Sequence, residues 1–189
     1  MKQIQTIFII ATILPWIIVT VYWIIFSKAT SDNHKGKENF SFIKLIGTFL
    51  IIYLPLLTGG LIATSLFKTS LTSGLIGLTF CVFGIGIMVW ARQHLAKNWS
   101  GNVILQKEHT LTKDGPYKFV RHPIYSGGLL AILGSAIVMG QIFGFAWALF
   151  CSVGLIMKIR KEEILLSSKF PAEYLLYKKQ TKMLIPFVL

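Results

Sequence analysis

GGLLAILGSAIVMGQIFGFAWALFCSVGLI, residues 127–156, is apolar for thirty residues and is broken only at Gly140-Gln141. A single helix of that length spans ~45 Å, well beyond the ~30 Å hydrocarbon core of a bilayer. Two short helices joined by a tight turn fit instead, so the stretch predicts a helical hairpin. Polar residues bound it on both sides. Arg121-His122-Pro123-Ile124-Tyr125 precede it, and Lys158-Ile159-Arg160-Lys161-Glu162-Glu163 follow it. Closing the hairpin brings the two clusters to one membrane face.

Outward from the hairpin, three more apolar runs approach the ~20 residues of a membrane helix: Ile7–Phe26, Leu45–Phe67 and Leu71–Trp90. The chain therefore reads as an all-α, multi-pass integral membrane protein with about five transmembrane helices, the last two being the hairpin. The net charge of +12 agrees with this count, because seventeen of the nineteen Lys and Arg residues fall in Lys28–Lys44, Arg92–Arg121 and Lys158–Lys182. Five spans put all three clusters on one side, which the positive-inside rule makes cytoplasmic. The N-terminus is then outside, and the C-terminus and the polar clusters are inside. Anionic headgroups account for a basic excess at membrane edges, and nucleic acid is not expected as a partner. The first run has Lys2 before it but lacks a small-residue cleavage site, so it reads as a retained helix. Cys81 and Cys151 lie inside apolar runs and read as packing residues. No metal-ligand spacing occurs, so no metal is expected.

The chain divides into a three-helix scaffold, residues 1–91, and a catalytic region, residues 92–189. In the scaffold, Pro15 and Pro55 lie inside spans, while Gly59-Gly60 and Gly84-x-Gly86 permit close helix approach. The segment Arg92–Tyr125 is long for a connector, carries His94, His109 and His122 with several aromatics, and has a turn signal at Asp114-Gly115-Pro116. It reads as a cytoplasmic cap over a ligand. Beyond Lys161, apolar residues recur at helical spacing (Ile164, Leu165, Leu166, Phe170, Tyr174, Tyr177). That pattern predicts a helix leaving the last span, a break near Pro171, then an amphipathic helix lying on the headgroups or under the site.

Each polar residue at the hairpin mouth has two readings. Arg121 suits a snorkelling edge residue, Tyr125 an interfacial aromatic belt, and His122-Pro123 a helix start. Glu162 and Glu163 stand four and three residues after Lys158 and Arg160, at intrahelical ion-pair spacing. The alternative reading is a ligand site: carboxylate for a cationic group or ribose hydroxyls, and aromatic rings for a purine or sulfonium. No glycine fingerprint follows a strand, and no strand signals occur, so a Rossmann-type nucleotide site is excluded.

The segments HTLTKDGPYKFVRHPIYSGG (109–128), RKEEILL (160–166) and FPAEYLLYKKQTKMLIPF (170–187) resemble the isoprenylcysteine carboxyl methyltransferases, a family of membrane methyltransferases related to the phospholipid N-methyltransferases. The resemblance implies S-adenosylmethionine as cofactor, held by the loop and the last helices. Its contacts would be Gln106, His109, Thr110, Leu111, Thr112, Tyr117, His122, Pro123, Ile124, Tyr125 and Glu162. It implies a lipidic acceptor entering from the bilayer, of which a prenylcysteine carboxylate is the family type. Where the family's substrate-side arginine falls, this chain has Lys158, and Arg160 is the nearest guanidinium. A carboxylate acceptor needs such a cation and no general base. An amine acceptor, as in a phospholipid N-methyltransferase, needs a base such as Glu163 or His122. A nicotinamide-dependent membrane reductase and a non-enzymatic scaffold are the remaining readings.

Overall fold

The computed structural model describes residues 2–30, 64–95 and 111–186. Among them are five α-helices: α1 (Lys2–Thr30), α2 (Leu71–Leu95), α3 (Pro123–Met139), α4 (Ile142–Lys169) and α5 (Pro171–Gln180). A 3-10 turn, Gly115–Lys118, precedes α3. No strand occurs among the described residues, only isolated bridges pairing Ser65 with Gln141 and Val120 with Lys182. Among the described residues three segments are long and apolar enough to cross a bilayer, Gln3–Phe26, Leu71–Leu95 and Ile142–Lys169, and the 17-residue α3 is a shorter apolar helix beside them. The architecture is that of an all-helical membrane protein.

The hairpin forms where expected. Gly140 ends α3 with a left-handed φ of +63°, and its N–H returns to the Ala136 carbonyl. Its second helix continues out of the span, as the sequence pattern predicts. α4 runs 28 residues, because the polar stretch after Ile156 continues as helix to Lys169. Thr64–Phe67 departs from the expected second span, whose residues 45–63 lie outside the described residues. Here the chain is non-helical and crosses the hairpin turn. Leu66 and Phe67 N–H groups donate to the Gly140 carbonyl at 2.9 and 3.3 Å, and Ile142 N–H donates to the Thr64 carbonyl at 3.1 Å. The last carbonyls of α3 find side-chain donors as well: Thr69 Oγ1 to Val138 O and Gln5 Nε2 to Met139 O, both 2.9 Å. In an apolar environment such groups must be satisfied within the protein.

α2 starts at a reciprocal serine cap. Ser73 N–H donates to Ser70 Oγ at 3.1 Å, and Ser70 N–H donates to Ser73 Oγ at 2.9 Å. It then packs against α3 along glycines spaced seven apart. A Cβ on Gly77 would stand 2.6 Å from the Gly134 carbonyl oxygen, and one on Gly84 would stand 2.5 Å from that of Gly127. Gly86, the other half of the expected contact pair, meets nothing within 4 Å among the described residues. Close backbone approach is what holds helices together where lipid offers no hydrophobic drive. Gly84→Leu is therefore expected to destabilise by at least about 1–3 kcal/mol, the usual cost of overpacking, while Gly86→Ala melts like the parent. Thermal melts of detergent-purified protein, followed by size exclusion, check the contrast.

α1 joins this pair through a small core of Trp16, Val19, Cys81, Ile85 and Ala131. Trp16 Nε1 donates to Ser135 Oγ at 3.0 Å, and Ser135 Oγ donates back to Ala131 O at 2.9 Å. α2 runs one turn past Trp90, and that turn buries Arg92, whose Nη2 lies 3.5 Å from the Phe26 carbonyl near the end of α1. His94, in the same turn, covers Gly115 so closely that a Cβ there would collide with its ring. Gly115 also has φ +58°, a left-handed backbone that favours glycine. The end of α2 thereby seats the 3-10 turn that leads into α3.

Candidate active site

His122 is the N-cap of α3 and Pro123 its first residue, where a missing N–H costs nothing. This start places Arg121, His122 and Tyr125 beside the polar end of α4. Phe170 breaks α4, and Pro171 opens α5, which returns with Tyr174 and Tyr177 buried. After α5 the chain lies against the α3 entrance. Arg121 N–H donates to Lys182 O at 2.8 Å, His122 N–H to Met183 O at 3.2 Å, and Ser126 Oγ to Leu184 O at 2.6 Å. Of the two expected positions for the tail, the structure shows the one against the site.

The tail also grips the loop. Tyr177 Oη donates to the Tyr117 carbonyl at 2.7 Å, and Lys113 pairs with Glu173. Burial pushes the Tyr117, Tyr174 and Tyr177 hydroxyls well above the ordinary phenol range. They stay protonated, as a donor such as Tyr177 must.

At the centre, the adjacent glutamates are used differently. Tyr125 Oη donates to Glu162 Oε1 at 2.5 Å, while Glu162 Oε2 lies 3.7 Å from His122 Nδ1. Glu163 is enclosed by cations: Arg121 Nε on Oε1 at 2.7 Å and Lys178 Nζ on Oε2 at 3.0 Å, with His122 Nε2 at 3.5 Å from Oε1. Glu162 is 24% exposed and Glu163 14%. Lys158 Nζ sits over the Tyr125 ring, 5.3 Å from its centroid. The glutamates thus pair with residues at the entrance of α3 and on α5 rather than with Lys158 and Arg160 on their own helix. The carboxylate-bearing face of α4 is turned inward, where fixed partners outcompete flexible intrahelical ones.

The structure therefore brings together Tyr117, His122, Tyr125, Lys158, Glu162 and Glu163, while Pro123 and Ile124 stand in the first turn of α3 between His122 and Tyr125. Leu111 and Thr112 are half-buried at the start of the described cap, and Gln106, His109 and Thr110 lie outside the described residues. Arg160 is exposed. Arg121 is the main correction. It reads in sequence as edge trim, yet its side chain is only 10% exposed and bonds Glu163, with Nη1 also on the carbonyls of Thr181 and Lys178. Lys178 and the buried Arg92 went unrecognised too. The signal for Arg121 was its place directly before His122, in the cluster that the hairpin carries to Glu162 and Glu163.

Fold and site together define an all-helical integral-membrane protein with a carboxylate–imidazole–phenol site at the polar end of its terminal hairpin. Residues 75–168 match the isoprenylcysteine carboxyl methyltransferase family. It is 29% identical over 157 residues to the cobalt-zinc-cadmium resistance protein CzcN of Cupriavidus metallidurans, across 80% of this chain and 68% of the relative. It is 32% identical over 117 residues to human protein-S-isoprenylcysteine O-methyltransferase, and 32% over 115 residues to the mouse protein of the same name. Each match covers 59% of this chain, and only 40% of the human and 41% of the mouse protein.

Proposed function

We propose that the chain is an S-adenosylmethionine-dependent methyltransferase acting on the carboxylate of a membrane-embedded lipidic acceptor, of the prenylcysteine type. The observation that carries this reading is the division between the two glutamates. Glu163 is taken by Arg121 and Lys178, whereas Glu162, 24% exposed, meets only the Tyr125 hydroxyl on Oε1 and the buried His122 ring 3.7 Å from Oε2 among the described residues. A carboxylate with no cation held tightly against it, an imidazole and aromatic faces suit a cofactor with a sulfonium, an ammonium and ribose hydroxyls. The residues that would hold it are Glu162, His122, Tyr125 and Tyr117, with Leu111 and Thr112 at the rim. When bound, S-adenosylmethionine supplies an electrophilic methyl group on a sulfonium centre.

What remains for the protein is orientation and exclusion of water. Tyr125 fixes Glu162 by its hydroxyl and holds Lys158 over its ring face, so an anionic contact and a cationic one share a single aromatic support. Lys158 Nζ is then the group that orients an acceptor carboxylate. A carboxylate is already ionised at neutral pH and gives up no proton. Of the two bases an amine acceptor would need, this arrangement removes Glu163, which is engaged by two cations and not free to take a proton, and leaves His122. The cytoplasmic placement of this face follows from the basic clusters and the positive-inside rule.

Calorimetric titration of S-adenosylmethionine into detergent-purified protein should give saturable binding, and its absence sinks the reading. Radiolabel transfer then separates acceptors. A base-labile methyl ester on a farnesylated cysteine analogue is expected, whereas base-stable label on phosphatidylethanolamine would establish the N-methyltransferase instead.

A further inference from the structure

Neighbouring residues on a helix point about 100° apart, so a modest rotation of α4 decides which of Glu162 and Glu163 faces the ligand. Four side chains fix that rotation. Tyr125 holds Glu162, Arg121 and Lys178 hold opposite oxygens of Glu163, and His122 stands between the two carboxylates. The His122 nitrogens lie 3.7 Å from Glu162 and 3.5 Å from Glu163, so its ring is nearly equidistant from both and bound tightly to neither. Lys178 is 39% exposed on a long flexible stem. Arg121 is the rigid member. Its Nε is on Glu163, its Nη1 is on Thr181 and Lys178 carbonyls, and its own N–H is on Lys182 O.

We infer that Arg121 is the positioning residue of this site and acts through Glu163. It occupies the Glu163 carboxylate, which leaves His122 and Glu162 to the ligand. The inference rests on the methyltransferase reading, in which that ligand is S-adenosylmethionine. Without Arg121, the half-buried Glu163 carboxylate keeps only Lys178 and His122 as partners. It then draws His122 from Glu162, and the end of α4 turns with it. Removing the carboxylate as well removes the competition. The arrangement therefore predicts suppression rather than additive damage.

The test is calorimetric S-adenosylmethionine binding by the full chain in detergent, with melts run in parallel. Arg121→Met should weaken binding by roughly tenfold or more, as when a hydrogen-bonded charged partner is lost. The double variant Arg121→Met/Glu163→Gln should recover to within about threefold of Glu163→Gln alone, the margin expected for a removed pair. Arg121→Lys should fall between, since it keeps the charge but loses the fork. Wild-type affinity in Arg121→Met overturns the inference. So does a double variant no better than Arg121→Met, because Arg121 would then act by itself and not through Glu163. If Arg121→Met does not fold, Arg121→Lys with and without Glu163→Gln makes the same comparison. Absence of binding in the wild type sinks the functional reading alone. Positioning is then judged by NMR of ¹³C-labelled histidine: the His122 signal should move in Arg121→Met and return in the double variant, and a stationary signal refutes it.

Discussion

Glu162→Gln is expected to weaken S-adenosylmethionine binding by roughly 10–100-fold, the ~1.5–3 kcal/mol typical of a hydrogen bond to a charged group. The glutamine keeps the shape and an acceptor for the Tyr125 hydroxyl. It loses the negative charge and adds two donors beside His122, so the cost falls on the ligand and not on the helix. Glu163→Gln is the control, because that carboxylate faces Arg121 and Lys178. Its loss leaves two cations without their partner, so the damage appears in the melt. The check is a pair of titrations and a pair of melts: Glu162→Gln loses affinity with little change in melting, and Glu163→Gln does the reverse. The opposite assignment would mean that α4 presents Glu163 to the ligand.

The hairpin was legible because its turn carries chemistry: Gly140 at a left-handed position between two apolar runs. The break at Phe170-Pro171 was legible for a similar reason. Packing faces were not. In a membrane helix, lipid-facing and protein-facing sides are both apolar, so hydropathy does not tell the exposed Leu75, Val82 and Phe83 from the buried Cys81 and Ile85 of α2. Close spacing suggested Gly84 with Gly86, whereas the seam pairs Gly84 with Gly77, two turns earlier.

The site follows the same logic. Tyr117, His122, Tyr125 and Glu162 were identifiable from motifs that share one membrane face. Arg121 belongs to the same motif and meets Glu163 across the same hairpin, but its other contacts are carbonyls of the tail, which no side-chain pattern announces. A basic residue at a membrane edge has an ordinary explanation by position alone. Closure of the hairpin brings Arg121 to Glu163 on α4, and the return of α5 adds Lys178 and the carbonyls of the tail.

Lys158→Ala is expected to leave S-adenosylmethionine affinity within about threefold of wild type while turnover on a farnesylated cysteine analogue falls by roughly 100-fold. That loss, ~2.7 kcal/mol at 1.36 kcal/mol per tenfold, is on the scale of a charged contact made to the acceptor in the transition state. The structure distinguishes Lys158 from Arg160, which sequence left as equals. Lys158 shares the inward face of α4 with Glu162 and rests on the Tyr125 ring, while Arg160 is exposed. An ammonium over an aromatic face is steadied without a carboxylate neutralising it, so its charge stays available to an anionic acceptor. Arg160→Ala should therefore retain most turnover, and Lys158→Arg should restore much of what alanine removes. Initial rates at saturating cofactor separate these outcomes. If Arg160→Ala is the variant that abolishes turnover, the acceptor approaches from the outer face of α4, and Lys158 serves only to support Tyr125.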